Sequence, residues 1–156
     1  MLLRVEGLSV TFDQDGQPPV RAVDSMGFGL TRGERVGLIG ESGSGKSMAS
    51  LTIQGLQPRS ARTEGSVVFE DRNILGAPDR VMRRVRGRRM GAVFQEPMTA
   101  LNPVRTIGEQ LVSAAREHQG IRGRAARQRA IGLAAMVELP QPTEIVRRYP
   151  HELSGG

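Results

Sequence analysis

The chain has 156 residues and a formal net charge of +6, and 38% of its residues are hydrophobic. These values fit one folded domain and exclude a disordered chain. Because it has no cysteine and only two histidines, disulfide scaffolds, thiolate metal sites and cysteine nucleophiles are excluded, and a histidine-rich metal site is disfavoured. Aromatic residues make up 3% of the chain, too few for a surface that stacks single-stranded nucleic acid.

The apolar run at residues 130–137 is shorter than the roughly 20 residues that cross a bilayer, and charges near the N-terminus interrupt any signal-peptide core. We therefore expect a soluble chain of the cytoplasmic type.

Hydrophobic patterning predicts an order of strands and helices along the chain. Apolar alternation and short apolar runs predict strands over residues 2–12, 20–30, 35–39, 67–69 and 90–94, the third and last of them buried. Helical spacing predicts helices over residues 46–56, 80–89 with a break at Gly87, 106–118, 123–138 and 143–148. The order is a β-hairpin, a β-loop-α unit, further strands and a helical block.

Positive charge is concentrated in the middle of the chain. Residues 80–129 hold 12 arginines and three acidic residues, and the rest of the chain is net negative. A basic stretch of this kind indicates nucleic acid, an anionic membrane surface, an acidic partner or a solvated helix face. We favour the solvated face, and expect no nucleic-acid partner.

A glycine-rich loop follows the third predicted strand. Its residues, Gly40-Glu41-Ser42-Gly43-Ser44-Gly45-Lys46-Ser47, fit the pattern G-x-x-x-x-G-K-[ST]. The glycines let the backbone amides wrap a phosphate at a helix N-terminus, Lys46 reaches the β- and γ-phosphates, and the Ser47 hydroxyl ligates Mg²⁺. A glycine-rich turn without a ligand is the alternative. The strand before the loop, the helix after it, and the placement of the only lysine in the chain favour the phosphate loop.

Two further motifs accompany the loop. Gln95 ends the predicted strand over residues 90–94, where a glutamine can hold Mg²⁺ or an attacking water, although a polar strand end is the simpler interpretation of a lone glutamine. The chain then ends in Leu153-Ser154-Gly155-Gly156, which on its own is an ordinary turn.

Together these motifs resemble the ATP-binding subunits of ABC transporters, and within them the oligopeptide and dipeptide importers. The finer likeness lies in residues 40–47, 93–103, 107–110 and 149–156. The resemblance implies an α/β fold of the P-loop NTPase type, with an N-terminal antiparallel β part and a helical subdomain. It places the β part and phosphate loop in residues 1–95 and the helical subdomain, up to the signature motif, in residues 96–156. It also implies an ATP hydrolase, with ATP and Mg²⁺ as cofactors, that drives the import of peptides or related small solutes.

The same resemblance assigns roles to individual residues. It implies that Phe12 stacks on adenine and that Val23 borders the base or ribose. Gln95 becomes the catalytic-site glutamine and, with Ser47, a Mg²⁺ ligand. Residues Ser154, Gly155 and Gly156 become the group that reaches the ATP bound by a second ATPase subunit.

Partners and location also follow from the resemblance. The segment after Gln95 would contact the transmembrane permease, which places the protein at the cytoplasmic face of the cell membrane.

The chain departs from the family pattern at its end. No Walker B strand, D-loop or switch histidine is present, and His151 lies on the wrong side of the signature to be that histidine. We therefore expect an N-terminal portion of the ATPase, without the C-terminal part of its core, that is inactive alone. The alternatives are a non-catalytic remnant and a soluble ABC ATPase without a permease.

Overall fold

The computed structural model describes residues 1–14, 16–94 and 101–153. The chain separates into two compact units, of which the first comprises Met1–Arg86 and the second begins at Gly87. Within the described ranges, no helix combines the length and apolar character needed to cross a membrane. The division predicted between residues 95 and 96 stays a prediction, because residue 95 lies outside these ranges.

A four-stranded antiparallel sheet forms the first unit. Strands β1 (Leu3–Gln14), β2 (Gln17–Leu30), β3 (Ala61–Phe69) and β4 (Arg72–Asn73) follow the spatial order β2-β1-β3-β4. The predicted hairpin and third strand are confirmed, although β3 begins six residues earlier than predicted. Apolar side chains from β1, β2 and β3 are almost completely buried and form the core of this unit, namely Val5, Leu8, Val10, Val23 and Val67.

Two helices accompany the sheet. Helix α1 (Lys46–Ile53) packs on β1 and β2 and buries Ala49, Thr52 and Ile53. Helix α2 (Asp79–Val85) buries Met82 and ends before Gly87, where the sequence predicted a break. Helix α1 lies within its predicted range, and helix α2 begins one residue before its predicted start.

Ion pairs on α2 involve the acidic residue in its first turn. The Asp79 carboxylate accepts a hydrogen bond from Arg83 Nε at 2.8 Å and another from Arg86. The hydrogen bond from Arg83, followed by that from Arg86, lowers the pKa of Asp79 below its ordinary value. Part of the basic stretch is therefore neutralised locally, on an exposed helix face.

The second unit is helical. Helices α3 (Ile107–Leu111), α4 (Ser113–Gln119), α5 (Gly123–Met136) and α6 (Pro142–Ile145) precede a 3₁₀ turn at Pro150–Glu152. Small side chains spaced four residues apart on α5 pack with apolar residues at the ends of α3 and α6, in a core comprising Val112, Ala126, Ala130, Ala134, Ile145 and Val146.

The first predicted helix of this block is two helices in the structure. A capping box starts α3: Glu109 N donates to Thr106 Oγ1 at 3.3 Å, and Thr106 N donates to the Glu109 carboxylate at 3.2 Å. Val112 separates α3 from α4: its backbone is not helical, with φ −99° and ψ 5°, and its side chain is buried in the core of this unit. The predicted single helix over residues 106–118 is corrected accordingly.

The prediction of two buried strands, over residues 35–39 and 90–94, is wrong. Residues 35–39 form no strand, and Ile39 is 100% exposed. Residues 91–94 likewise form no strand, and Val93 is fully exposed. An inner strand is defined by hydrogen bonds to its neighbours, and neither run has a strand beside it within the described residues.

Candidate phosphate-binding site

The N-terminus of α1 is open to a ligand. Gly45 is its N-cap, with φ 84° and ψ 0°. Among the described residues, no side chain caps this end of the helix, and the first turn contains no acidic residue. The first backbone N–H groups of a helix have no intrahelical acceptor and carry the positive end of the helix dipole. This end of α1 is therefore suited to an anion, and phosphate is the anion that such helix ends bind most often in nucleotide-binding proteins.

Lys46 closes the glycine-rich loop on itself. Its Nζ donates hydrogen bonds to Gly40 O at 2.7 Å, Glu41 O at 2.6 Å and Ser44 Oγ at 3.0 Å. A second closure within the loop is the hydrogen bond from Ser44 N to Glu41 O, at 3.2 Å. The ammonium group is thus held against the loop that leads into the helix N-terminus, so that both positive features act together.

Strand β2 supports the end of the loop. A Cβ built on Gly45 would lie 2.1 Å from Ala22 O and 3.2 Å from Val23 Cγ2. The loop backbone therefore passes directly over β2, at a distance that only glycine permits. Sequence reasoning missed Ala22, because nothing in its own pattern indicates which part of β2 the loop will touch.

The predicted nucleobase residues lie in the sheet of the same unit. Val23 is 4% exposed and pairs with Val10 of β1, beside the end of the loop. Phe12 is half-buried on β1, between Val20 of β2 and Ala61 of β3. Their roles toward a base or ribose stay predictions.

The remaining predicted site residues divide into two groups. Glu41, Ser42, Gly43 and Ser47 are exposed on the loop and the first turn of α1. The other predicted residues, Gln95, Ser154, Gly155 and Gly156, lie outside the described ranges.

The loop before α3 is organised by one side chain. Gln110 Nε2 donates to Asn102 O at 3.0 Å and to Arg105 O at 2.9 Å, and Gln110 Oε1 accepts from Asn102 N at 2.8 Å. Val104 is 79% exposed on this loop. The loop therefore presents the Val104 side chain to solvent from a backbone that Gln110 holds in place.

A glycine-rich loop that delivers a lysine and an uncapped helix N-terminus to one place is the phosphate-binding unit of nucleotide-binding α/β proteins. The ABC transporter family model matches residues 23–156, and the chain belongs to that family. The motif-based resemblance is thereby confirmed.

Curated relatives and solved structures agree with this assignment. The chain is 47% identical to the oligopeptide transport ATP-binding protein OppD of Mycobacterium tuberculosis, over 99% of this chain and 25% of the relative. It is 42% identical to the oligopeptide transport ATP-binding protein AppD of Bacillus subtilis, over 99% of this chain and 48% of the relative. The chain therefore spans about a quarter to a half of these relatives.

Among solved structures, a dimeric post-hydrolysis structure of the ATP-binding cassette MJ0796 bound to ADP and Pi superimposes with a TM-score of 0.82. The sequence identity is 25%, over 98% of this chain and 63% of that one. The predicted α/β P-loop class is confirmed by this likeness.

Proposed function

We propose that this chain is the nucleotide-binding part of an ATP-driven peptide importer, and that residues 40–47 hold the phosphates of ATP. One observation carries the proposal: the Lys46 ammonium and the uncapped N-terminus of α1 lie on the same loop. The peptide class rests on the relatives, which are named for oligopeptide and dipeptide transport.

Each part of the loop has a distinct task toward ATP. Backbone amides of the loop and of the first turn of α1 donate to phosphate oxygens. Lys46 adds a positive charge to the β- and γ-phosphates. The exposed Ser47 hydroxyl, together with Gln95, would hold Mg²⁺, which neutralises charge between the phosphates when bound. Phe12 and Val23 would contact the base and ribose.

The proposed assembly contains two ATPase subunits and a permease. Ser154, Gly155 and Gly156 would reach the γ-phosphate of ATP held by the second subunit. The loop organised by Gln110 follows Gln95 and carries the exposed Val104, which supports a permease contact there. Such a contact would hold the protein at the cytoplasmic face of the cell membrane.

Nucleotide binding is the first test. The protein should bind Mg-ATP, and Lys46→Ala should weaken binding at least tenfold because the positive charge of the loop is lost. Ser50→Ala is the matched control, since Ser50 is exposed on the same helix, one turn away. An equal affinity for ATP in Lys46→Ala and the unchanged protein would reject the phosphate site.

Hydrolysis is a separate matter from binding. A polypeptide of residues 1–156 should bind ATP without measurable turnover, because it contains no Walker B carboxylates, and a general base contributes about 10²–10⁴-fold to a rate. Phosphate release that disappears in Lys46→Ala would contradict this expectation.

Peptide import is tested in the cell that makes the protein. Loss of the gene should abolish uptake of a labelled oligopeptide, and the protein with Lys46→Ala should not restore it. The protein should also co-purify with integral membrane proteins after mild detergent extraction. Normal peptide uptake without the gene, and recovery only in the soluble fraction, would favour the soluble ATPase or the remnant.

The shared ATP site has its own test. In a chain extended with the rest of the ATPase core, Lys46→Ala and Ser154→Arg each disable both sites of a homodimer. A mixed dimer retains one intact site, so single-turnover hydrolysis should reappear on mixing. Failure of mixed dimers to hydrolyse ATP would remove Ser154 from the partner's site.

A further inference from the structure

We propose that Ser44 is a positioning residue that holds the Lys46 ammonium toward the phosphate site, an inference that rests on the proposed function. An ammonium group has three N–H donors. In this loop each has one acceptor, namely Gly40 O at 2.7 Å, Glu41 O at 2.6 Å and Ser44 Oγ at 3.0 Å. The G-x-x-x-x-G-K-[ST] pattern leaves residue 44 unspecified, so the motif itself does not predict this role.

Gly40 makes the space that the Ser44 hydroxyl occupies. A Cβ built on Gly40 would lie 2.7 Å from Ser44 Oγ and 3.8 Å from Lys46 Nζ. Two such atoms do not approach that closely, so any side chain at residue 40 would push the hydroxyl away from the lysine. The glycine and the serine therefore act as a pair, and the lysine is their common partner.

The three acceptors differ in how readily they can be exchanged. Two are backbone carbonyls, which the chain fixes, whereas the third is a hydroxyl that can rotate and that lies farthest from Nζ. A phosphate oxygen can replace the hydroxyl while the carbonyls continue to hold the ammonium. Lysine has a flexible four-carbon stem that loses entropy when it is fixed. The hydroxyl reduces that loss on binding, because it holds the ammonium in place beforehand.

The first experiment observes Lys46 directly in the ligand-free protein. Lys46 is the only lysine of the 156 residues, so labelling with [ζ-¹⁵N]lysine gives a single ammonium resonance. Ser44→Ala should shift this resonance and speed exchange of its protons with water. Gly40→Ala should do the same although it keeps the hydroxyl, and Ser44→Thr should restore the original behaviour. The Ser50→Ala control should leave the resonance unchanged.

The second experiment measures ATP affinity in a double-mutant cycle. Ser44→Ala and Gly40→Ala should each weaken ATP binding about three- to tenfold, the range that the net contribution of one ordinary hydrogen bond gives. Neither should weaken it further in the Lys46→Ala protein, because both act through Lys46. Binding of adenosine, which has no phosphate, should not change in any variant. Far-UV circular dichroism verifies that each variant is folded.

The outcomes separate this inference from the proposed function. An unchanged Lys46 resonance in Ser44→Ala overturns the inference, whether or not ATP binds. Additive losses of ATP affinity in Ser44→Ala/Lys46→Ala also overturn it, because they mean that the hydroxyl binds phosphate independently of the lysine. If the unchanged protein binds no ATP while the resonance responds to Ser44→Ala, the proposed function fails and the contact between the two side chains stands.

Discussion

Replacing Gly45 by alanine adds one methyl group where the glycine-rich loop crosses β2. Gly45 has φ 84°, in the left-handed region, so an L-residue there is strained by about 1–2 kcal/mol. The new Cβ would also lie 2.1 Å from Ala22 O, a backbone atom that cannot rotate away. Overpacking of this kind costs about 1–3 kcal/mol. We therefore expect Gly45→Ala to lower the free energy of unfolding by about 2–5 kcal/mol.

Gly43→Ala is the matched control for this prediction. Gly43 has φ +83°, almost the same as Gly45, but a Cβ there would meet nothing within 4 Å. It should lose only the strain component, about 1–2 kcal/mol. The smaller conformational entropy of alanine in the unfolded chain acts equally on both variants and cancels in their difference. Urea unfolding followed by circular dichroism measures the free energies, and equal destabilisation by the two variants would refute the contact with Ala22 as the reason for glycine at residue 45.

Three further predictions concern the remaining elements. Gly108→Ala should destabilise the helical unit by about 1–3 kcal/mol, because its Cβ would lie 2.6 Å from Val146 O. Gly132→Ala, whose Cβ would meet nothing within 4 Å, should stabilise α5 by up to about 1 kcal/mol. A higher melting temperature for Gly108→Ala than for Gly132→Ala would contradict the packing. Thr106→Ala should cost about 1 kcal/mol by removing half of the capping box, measured by urea unfolding, and no change in midpoint would mean that the box is not formed. The pKa of Asp79 is lower in the folded state than its ordinary value near 3.8, so its carboxylate stabilises the folded state above that pH, and this stabilisation is lost as the pH falls through the folded pKa. Asp79→Asn should therefore reduce the urea midpoint at pH 7 and reduce it less at pH 3. An NMR titration that places the pKa of the Asp79 carboxyl at or above 3.8 would contradict the ion pairs.

Local patterns predicted the elements whose structure depends on nearby residues. The helix that begins at Lys46 follows from the glycine-rich loop and the apolar spacing after it, and α5 follows from small apolar residues at intervals of four. The hairpin of β1 and β2 was also predictable, because its strands are neighbours in sequence and joined by a short turn. Family membership was predictable for the same reason, since its motifs are short and contiguous.

The sequence alone determined where the glycine-rich loop lies and which residue types it offers, because backbone flexibility and charge belong to the residues themselves. Only the tertiary structure decided that residues 35–39 and 91–94 form no strand within the described residues, since a strand depends on neighbours that periodicity does not encode. It also decided that Ala22 supports Gly45 and that Ser44 accepts from Lys46. These contacts depend on the path of the folded backbone, which brings β2 against the loop and turns two side chains toward each other, and no spacing in the sequence specifies that path.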